Sequence, residues 1–186
     1  MTFLFGHIIF SWAFGKAAEL KKNFKLDRWA WFLLLFGSIF PDSDFFIDWT
    51  FNTHIHRTFS HSFLMIIAGF LLILLLAKFL KKFKIFSNLN PVFLGIVFSF
   101  GIFTHLIADM AMGHPGVPLF WPEKLRFWFF GTGAINYISL HFAELEKDKL
   151  VHLVRIAVFD MAIGVFWVGY LFFKKNTILV KNKGGS

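Results

Sequence analysis

Residues 91–112, PVFLGIVFSFGIFTHLIADMAM, decide the fold. At 1.5 Å per helical residue this apolar run is long enough to cross a hydrocarbon core of ~30 Å. Near its end it carries two ionisable residues, His105 and Asp109. A spacing of four puts both side chains on one helix face, one turn apart. Such groups are costly near hydrocarbon, so they mark functional positions by default. Further His and Asp residues stand at the ends of the other apolar runs: His7, Asp42, Asp44, His56 and His61. A set of them gathered at one depth points to a metal site.

The composition agrees with a membrane setting. Of the 186 residues 57% are hydrophobic, 30 of them Phe, and the mean hydropathy is +0.65. Those values describe an all-α, helical integral membrane protein better than a soluble core. The length suits one domain, read as residues 1–175 embedded and 176–186 a polar tail. There is no cysteine, which excludes disulfides, thiolate metal sites and cysteine nucleophiles. Any divalent metal must then be held by imidazole nitrogen and carboxylate oxygen, a donor set that suits zinc, manganese or iron. The net charge of +8 does not form one face or stripe, which argues against nucleic acid as a partner.

In chain order the apolar runs cover residues 2–15, 29–40, 62–80, 92–112 and 150–173. The charge of the first run follows it rather than precedes it, so it reads as a retained helix and not a cleaved signal. The second reaches only ~18 Å before Pro41, less than a full hydrocarbon core. Residues 113–150, rich in Trp and Phe, read as an interfacial cap. About five membrane-embedded helices are thus expected. Thirteen of the 19 basic residues fall at 16–28, 78–84 and 174–183. With these segments cytoplasmic, the N-terminus is outside and the C-terminus inside. Every metal-type residue named above then lies on the extracytoplasmic side of a multi-pass protein in the cell membrane.

The local motifs carry the chemistry. PDSD (residues 41–44) has proline as a helix stop and two carboxylates two positions apart. As a lone motif it reads as a turn or cap. Functionally, Asp42 or Asp44 would bridge metals, position a ligand or act as base. HRTFSHS (residues 56–62) sets two imidazoles around Arg57, whose planar fork suits phosphate or carboxylate. Ser60 or Ser62 reads as a helix cap, and His54 as a solvated loop residue. His105 with Asp109 is either a mutually satisfied buried pair or part of a ligand set. His114, in the turn GHPG, and His141 with Glu144 form a second tier of additional metal candidates. Arg155 and Asp160 in the last run read as a buried ion pair.

With PDSD, HRTFSHS, His-x-x-x-Asp and then GVPLFWP in this order, the chain resembles the YdjM family. Its members are described as membrane-bound metal-dependent hydrolases. The resemblance covers roughly residues 7–122. It carries over to His7, Asp42, Asp44, His56, Arg57, His61, His105 and Asp109, with PLFWP as a structural marker. That family in turn is similar to the zinc-dependent phospholipase C and single-strand nuclease group. These are helical proteins in which His and Asp ligands hold a cluster of zinc ions for phosphoester hydrolysis. Their later His-x-x-x-Glu pair is here replaced by His141 and Glu144, spaced by three.

The sequence therefore leads to a metal-dependent hydrolase, a phosphoesterase acting on a membrane lipid or lipid-linked phosphate at the outer face. Metal ligands are His7, Asp42, His56, His61, His105 and Asp109, binding one to three ions, zinc first. Asp42, Asp44 and Arg57 are the catalytic candidates. The competing readings are a metal or proton transporter and a metal-binding scaffold without turnover. A transporter is expected to place its ionisable groups near the midplane in two related halves, and this chain has them at one end with no repeat.

Overall fold

A computed structural model describes residues 4–21, 24–53, 55–83, 90–111, 116–129, 131–134 and 147–183. The helices are α1 (Leu4–Glu19), α2 (Arg28–Gly37), α3 (Asp44–Phe51), α4 (Phe63–Lys81), α5 (Pro91–Ala111) and α6 (Lys147–Lys183). Short 3-10 turns, Phe40–Ser43 and Phe59–His61, precede α3 and α4. The all-α class holds.

Among the described residues, three segments are long and apolar enough to cross a membrane: Phe63–Lys81, Pro91–Ala111 and Ala157–Lys174. The pair Arg28–Gly37 and Phe40–Phe51 meets the same test as one unit bent by 57°. With 16 described residues α1 reaches ~24 Å, so by length and composition three of the described helices, or four with the bent pair, qualify as crossings. The bend follows from the sequence. Ser38 caps α2 through its backbone N–H, and Pro41 then sits at the start of the 3-10 turn, where its missing N–H is harmless. Asp27 starts α2 by accepting from the Ala30 N–H at 2.7 Å.

The central helix is α5. Its Leu94, Phe98 and Ile102 pack with Ile73 and Ala77 of α4, while its Val97 packs with Ala30 and Leu34 of α2. Lipid competes for apolar side chains as well as protein does, so close backbone approach and interhelical hydrogen bonds hold such helices together. Glycines provide the approach between α2 and α5. A Cβ at Gly37 would stand 2.3 Å from the Phe98 carbonyl oxygen, and one at Gly101 would stand 2.3 Å from that of Leu34. The Ser99 hydroxyl adds a bond to the Ile66 carbonyl of α4 at 2.9 Å. The outer faces of α4 and α6 stay apolar and exposed, with Leu75, Phe79, Val165 and Phe166 among them.

Residues 113–150 contain an element that the sequence reading did not separate from the cap. Strands β1 (Leu125–Trp128) and β2 (Gly131–Ala134) pair antiparallel, and Val117 bridges to Phe127. Leu106 of α5 packs with Val117 and Leu119. The Leu119 carbonyl accepts from the Phe63 N–H at 2.9 Å, so the PLFWP turn braces the start of α4. The Trp121–Pro122 bond in that turn is cis. At the chain's end α6 continues as helix through the polar stretch to Lys183.

Candidate metal centre

Four separated stretches deliver the polar side chains to one place: the start of α1, the α2–α3 bend, the loop before α4, and the end of α5. His7 enters from α1, whose first N–H groups are held from α6. The Asp160 carboxylate accepts from Phe5 N at 3.0 Å and Gly6 N at 2.7 Å. Asp160 is therefore a helix cap and not the partner of Arg155, which is exposed. The His7 ring is buried and stacks on that of His105, with centroids 3.9 Å apart.

Each of the next three histidines is oriented through Nδ1. His105 Nδ1 lies 2.8 Å from the Ser38 carbonyl oxygen. A carbonyl only accepts, so Nδ1 carries a proton, and in the neutral ring Nε2 is a bare lone pair. His56 Nδ1 lies 2.6 Å from Asp44 Oδ1 and donates to it. The Ser60 hydroxyl donates its single proton to Asp44 in a short bond. Toward His61 Nδ1, at 2.9 Å, that hydroxyl can then only accept, which protonates Nδ1 and bares Nε2.

The consequence is a close gathering of acceptor atoms. His61 Nε2 and His105 Nε2 face each other at 3.1 Å. Asp42 Oδ1 is 3.4 Å from the first and 3.5 Å from the second. Asp109 Oδ2 is 3.5 and 3.8 Å away. Burial, and after it the neighbouring His105, pushes the His61 pKa well below its ordinary value, so a proton does not fill the gap at neutral pH. The spacing suits a cation: with bonds of ~2.0–2.1 Å a tetrahedral ion spaces its donors by ~3.3 Å. Three groups have ligand atoms all within 4.8 Å of one another. They are His7, Asp42 and His105; Asp42, His56 and His61; and His61, His105 and Asp109. These buried His and Asp groups can bind a metal ion.

The structure thus brings together all six residues read as ligands from the sequence. It gives Asp44 a different position from Asp42. Asp44 is buried and occupied by His56, Ser60 and the Arg57 N–H at 3.3 Å, whereas the Asp42 side chain is 29% exposed. Arg57 has a left-handed backbone, φ 57°, an outlier that non-glycine residues hold only when well fixed. Its N–H is on Asp44, and its carbonyl accepts from Arg126 Nη2 of β1 at 3.2 Å. Its Nη2 donates to Asp109 Oδ2 at 2.8 Å, and its buried Nε has no partner among the described residues. His54, His114, His141 and Glu144 lie outside the described residues.

Ser38, Ser60, Arg126 and Asp160 were not singled out as parts of the site by the sequence. Ser38 acts through its carbonyl, which no side-chain pattern reveals. Ser60 was legible only as a cap, although its place directly before His61 was the available signal. Asp42, His56 and Arg57 also line a cleft of about 390 Å³ that opens beside the cluster.

The model of the YdjM inner membrane protein family matches residues 1–178. The chain belongs to that family. Membership agrees with the apolar helices in giving the protein a membrane location. No curated protein and no solved structure matches the chain. The YdjM description names a membrane and no reaction, so the chemistry rests on the geometry.

Proposed function

We propose that this YdjM-family protein is a multi-pass, metal-dependent hydrolase that cleaves a phosphoester on a lipid or lipid-linked group at the extracytoplasmic face. The observation that carries the reading is the pair of Nε2 atoms, on His61 and His105, facing each other at 3.1 Å between two carboxylates. His7, Asp42, His56, His61, His105 and Asp109 would hold the metal. Asp42, His61 and His105 each belong to two of the three donor groups. The all-nitrogen-and-oxygen donor set favours zinc, with manganese and iron as alternatives. When bound, such ions polarise water and a phosphoryl oxygen.

The protein's own groups divide the remaining work. Asp44 orients His56 and, through Ser60, His61; that occupied position argues against its use as base. Asp42 is the carboxylate open to the cleft and would take the proton from attacking water. As water's oxygen bonds to phosphorus the ester P–O bond breaks, and the departing alkoxide takes up that proton. Arg57 is fixed by Asp109 with Nε still unused, and would hold a phosphoryl oxygen. The extracytoplasmic assignment follows from the basic segments at 16–28, 78–84 and 174–183.

The deciding experiment is metal analysis of purified wild type beside His105→Ala and Asp109→Ala, with a phosphoester hydrolysis assay. Stoichiometric metal in wild type only, with turnover that tracks it, is the expected result. Wild type without metal sinks the proposal. Metal without turnover of any phosphoester leaves the scaffold reading in its place.

A further inference from the structure

The cleft beside Asp42 has walls of a kind that a water-soluble substrate does not need. Leu4 of α1, Phe36 of α2, Ile39 and Phe40 of the bend, and Phe45 and Phe46 of α3 line it. Its polar members are Asp42, Ser43, His56 and Arg57. The rim is apolar and turned outward: Phe46 is 70% exposed, Leu4 49% and Phe36 39%. The 57° bend between α2 and α3 makes the opening, since those two sides of the wall lie on either side of it.

We propose that this cleft is a hydrocarbon-chain slot, and that the substrate is a long-chain phosphomonoester whose phosphate sits close to its chain. This rests on the hydrolase reading above and adds the substrate class to it. A cleft of about 390 Å³ lies in the range of small-ligand pockets, ~300–1,000 Å³, enough for one chain segment. Asp42, His56 and Arg57 of the site line the same cleft as the phenylalanines, so a phosphate on Arg57 and Asp42 leaves its chain to lie along them. No polar wall is left for a large headgroup among the described residues. The outward apolar rim gives access sideways from the membrane rather than from water, so the chain never leaves an apolar medium. Because that transfer yields little hydrophobic gain, the slot selects by shape and direction more than by affinity.

Two readouts test this on the full-length protein in bilayer nanodiscs. In the first, a dodecyl phosphate bearing a terminal diazirine is photolysed and the labelled peptides are identified. Labelling within residues 36–46, competed by unlabelled dodecyl phosphate, is expected; labelling confined to the outer faces of α4 and α6 overturns the slot. In the second, Phe46→Trp narrows the slot from an exposed position on its rim, and Ile39→Trp does so from a half-buried one on the bend. Turnover of dodecyl phosphate should fall at least tenfold in a variant that keeps its metal, while 4-nitrophenyl phosphate is cleaved as by wild type. An equal effect on both esters overturns the slot and leaves the hydrolase reading intact. A wild type that binds no metal and cleaves neither ester overturns both.

Discussion

Gly101→Ala tests whether helix packing sets the chemistry of His105. The added Cβ would lie 2.3 Å from the Leu34 carbonyl oxygen, 2.9 Å from Ser38 N and 3.0 Å from Gly37 C. All three neighbours are backbone, so no side chain can rotate away. Ordinary contact begins at 3.4 Å, and α2 must therefore back away from α5 by about 1 Å. The Ser38 carbonyl moves with α2. Its 2.8 Å bond to His105 Nδ1 then stretches to ~3.8 Å, beyond hydrogen-bonding range. Loss of such an outer partner typically costs ~10–100-fold in metal affinity. The assay is metal retention against a graded series of chelator buffers. Gly69→Ala is the control, since its Cβ meets the mobile end of Ile102 at 2.5 Å and does not touch Ser38. Wild-type affinity in Gly101→Ala, or an equal loss in Gly69→Ala, would refute the argument.

Other perturbations read other parts of the site. Ser60→Ala removes the acceptor for His61 Nδ1 and should weaken metal binding ~10-fold, with Ser60→Thr restoring it; chelator competition measures both. Asp160→Ala removes the cap of α1 and should destabilise the protein by ~1 kcal/mol, with Asp160→Asn milder; thermal unfolding in mild detergent measures the difference. For metal-free protein, the folded His61 pKa lies below its unfolded value of ~6.5, so the unfolded state binds the extra proton. Stability is retained above that pH and lost as pH falls toward 5, and His61→Asn should flatten the slope of denaturation midpoint against pH.

Much of this was readable in the chain because the costly residues were few and periodic. The four-residue spacing of His105 and Asp109 gave their common face, and Pro41 marked the bend that carries Asp42. What escaped has physical reasons. The Ser38 carbonyl and the backbone of Arg57 act through groups that every residue possesses. The grip of Asp160 on Phe5 and Gly6 spans more than 150 residues, and its ion-pair reading with Arg155 used only local sequence. The hairpin at 125–134 escaped because Trp and Phe there suit a membrane interface as well as a strand. Length separated α1 from a full span where hydropathy did not.

The order in which the donors occur along the chain governs when the site can exist. During synthesis His7 emerges first, Asp42, His56 and His61 follow, and His105 and Asp109 complete the set. The cap that steadies His7 comes 51 residues after Asp109, at Asp160. A chain halted before α5 holds four of the six donors and no facing pair of imidazoles. An ion held by both imidazoles would thereby be captured late in biogenesis, only after α5 has docked on α2.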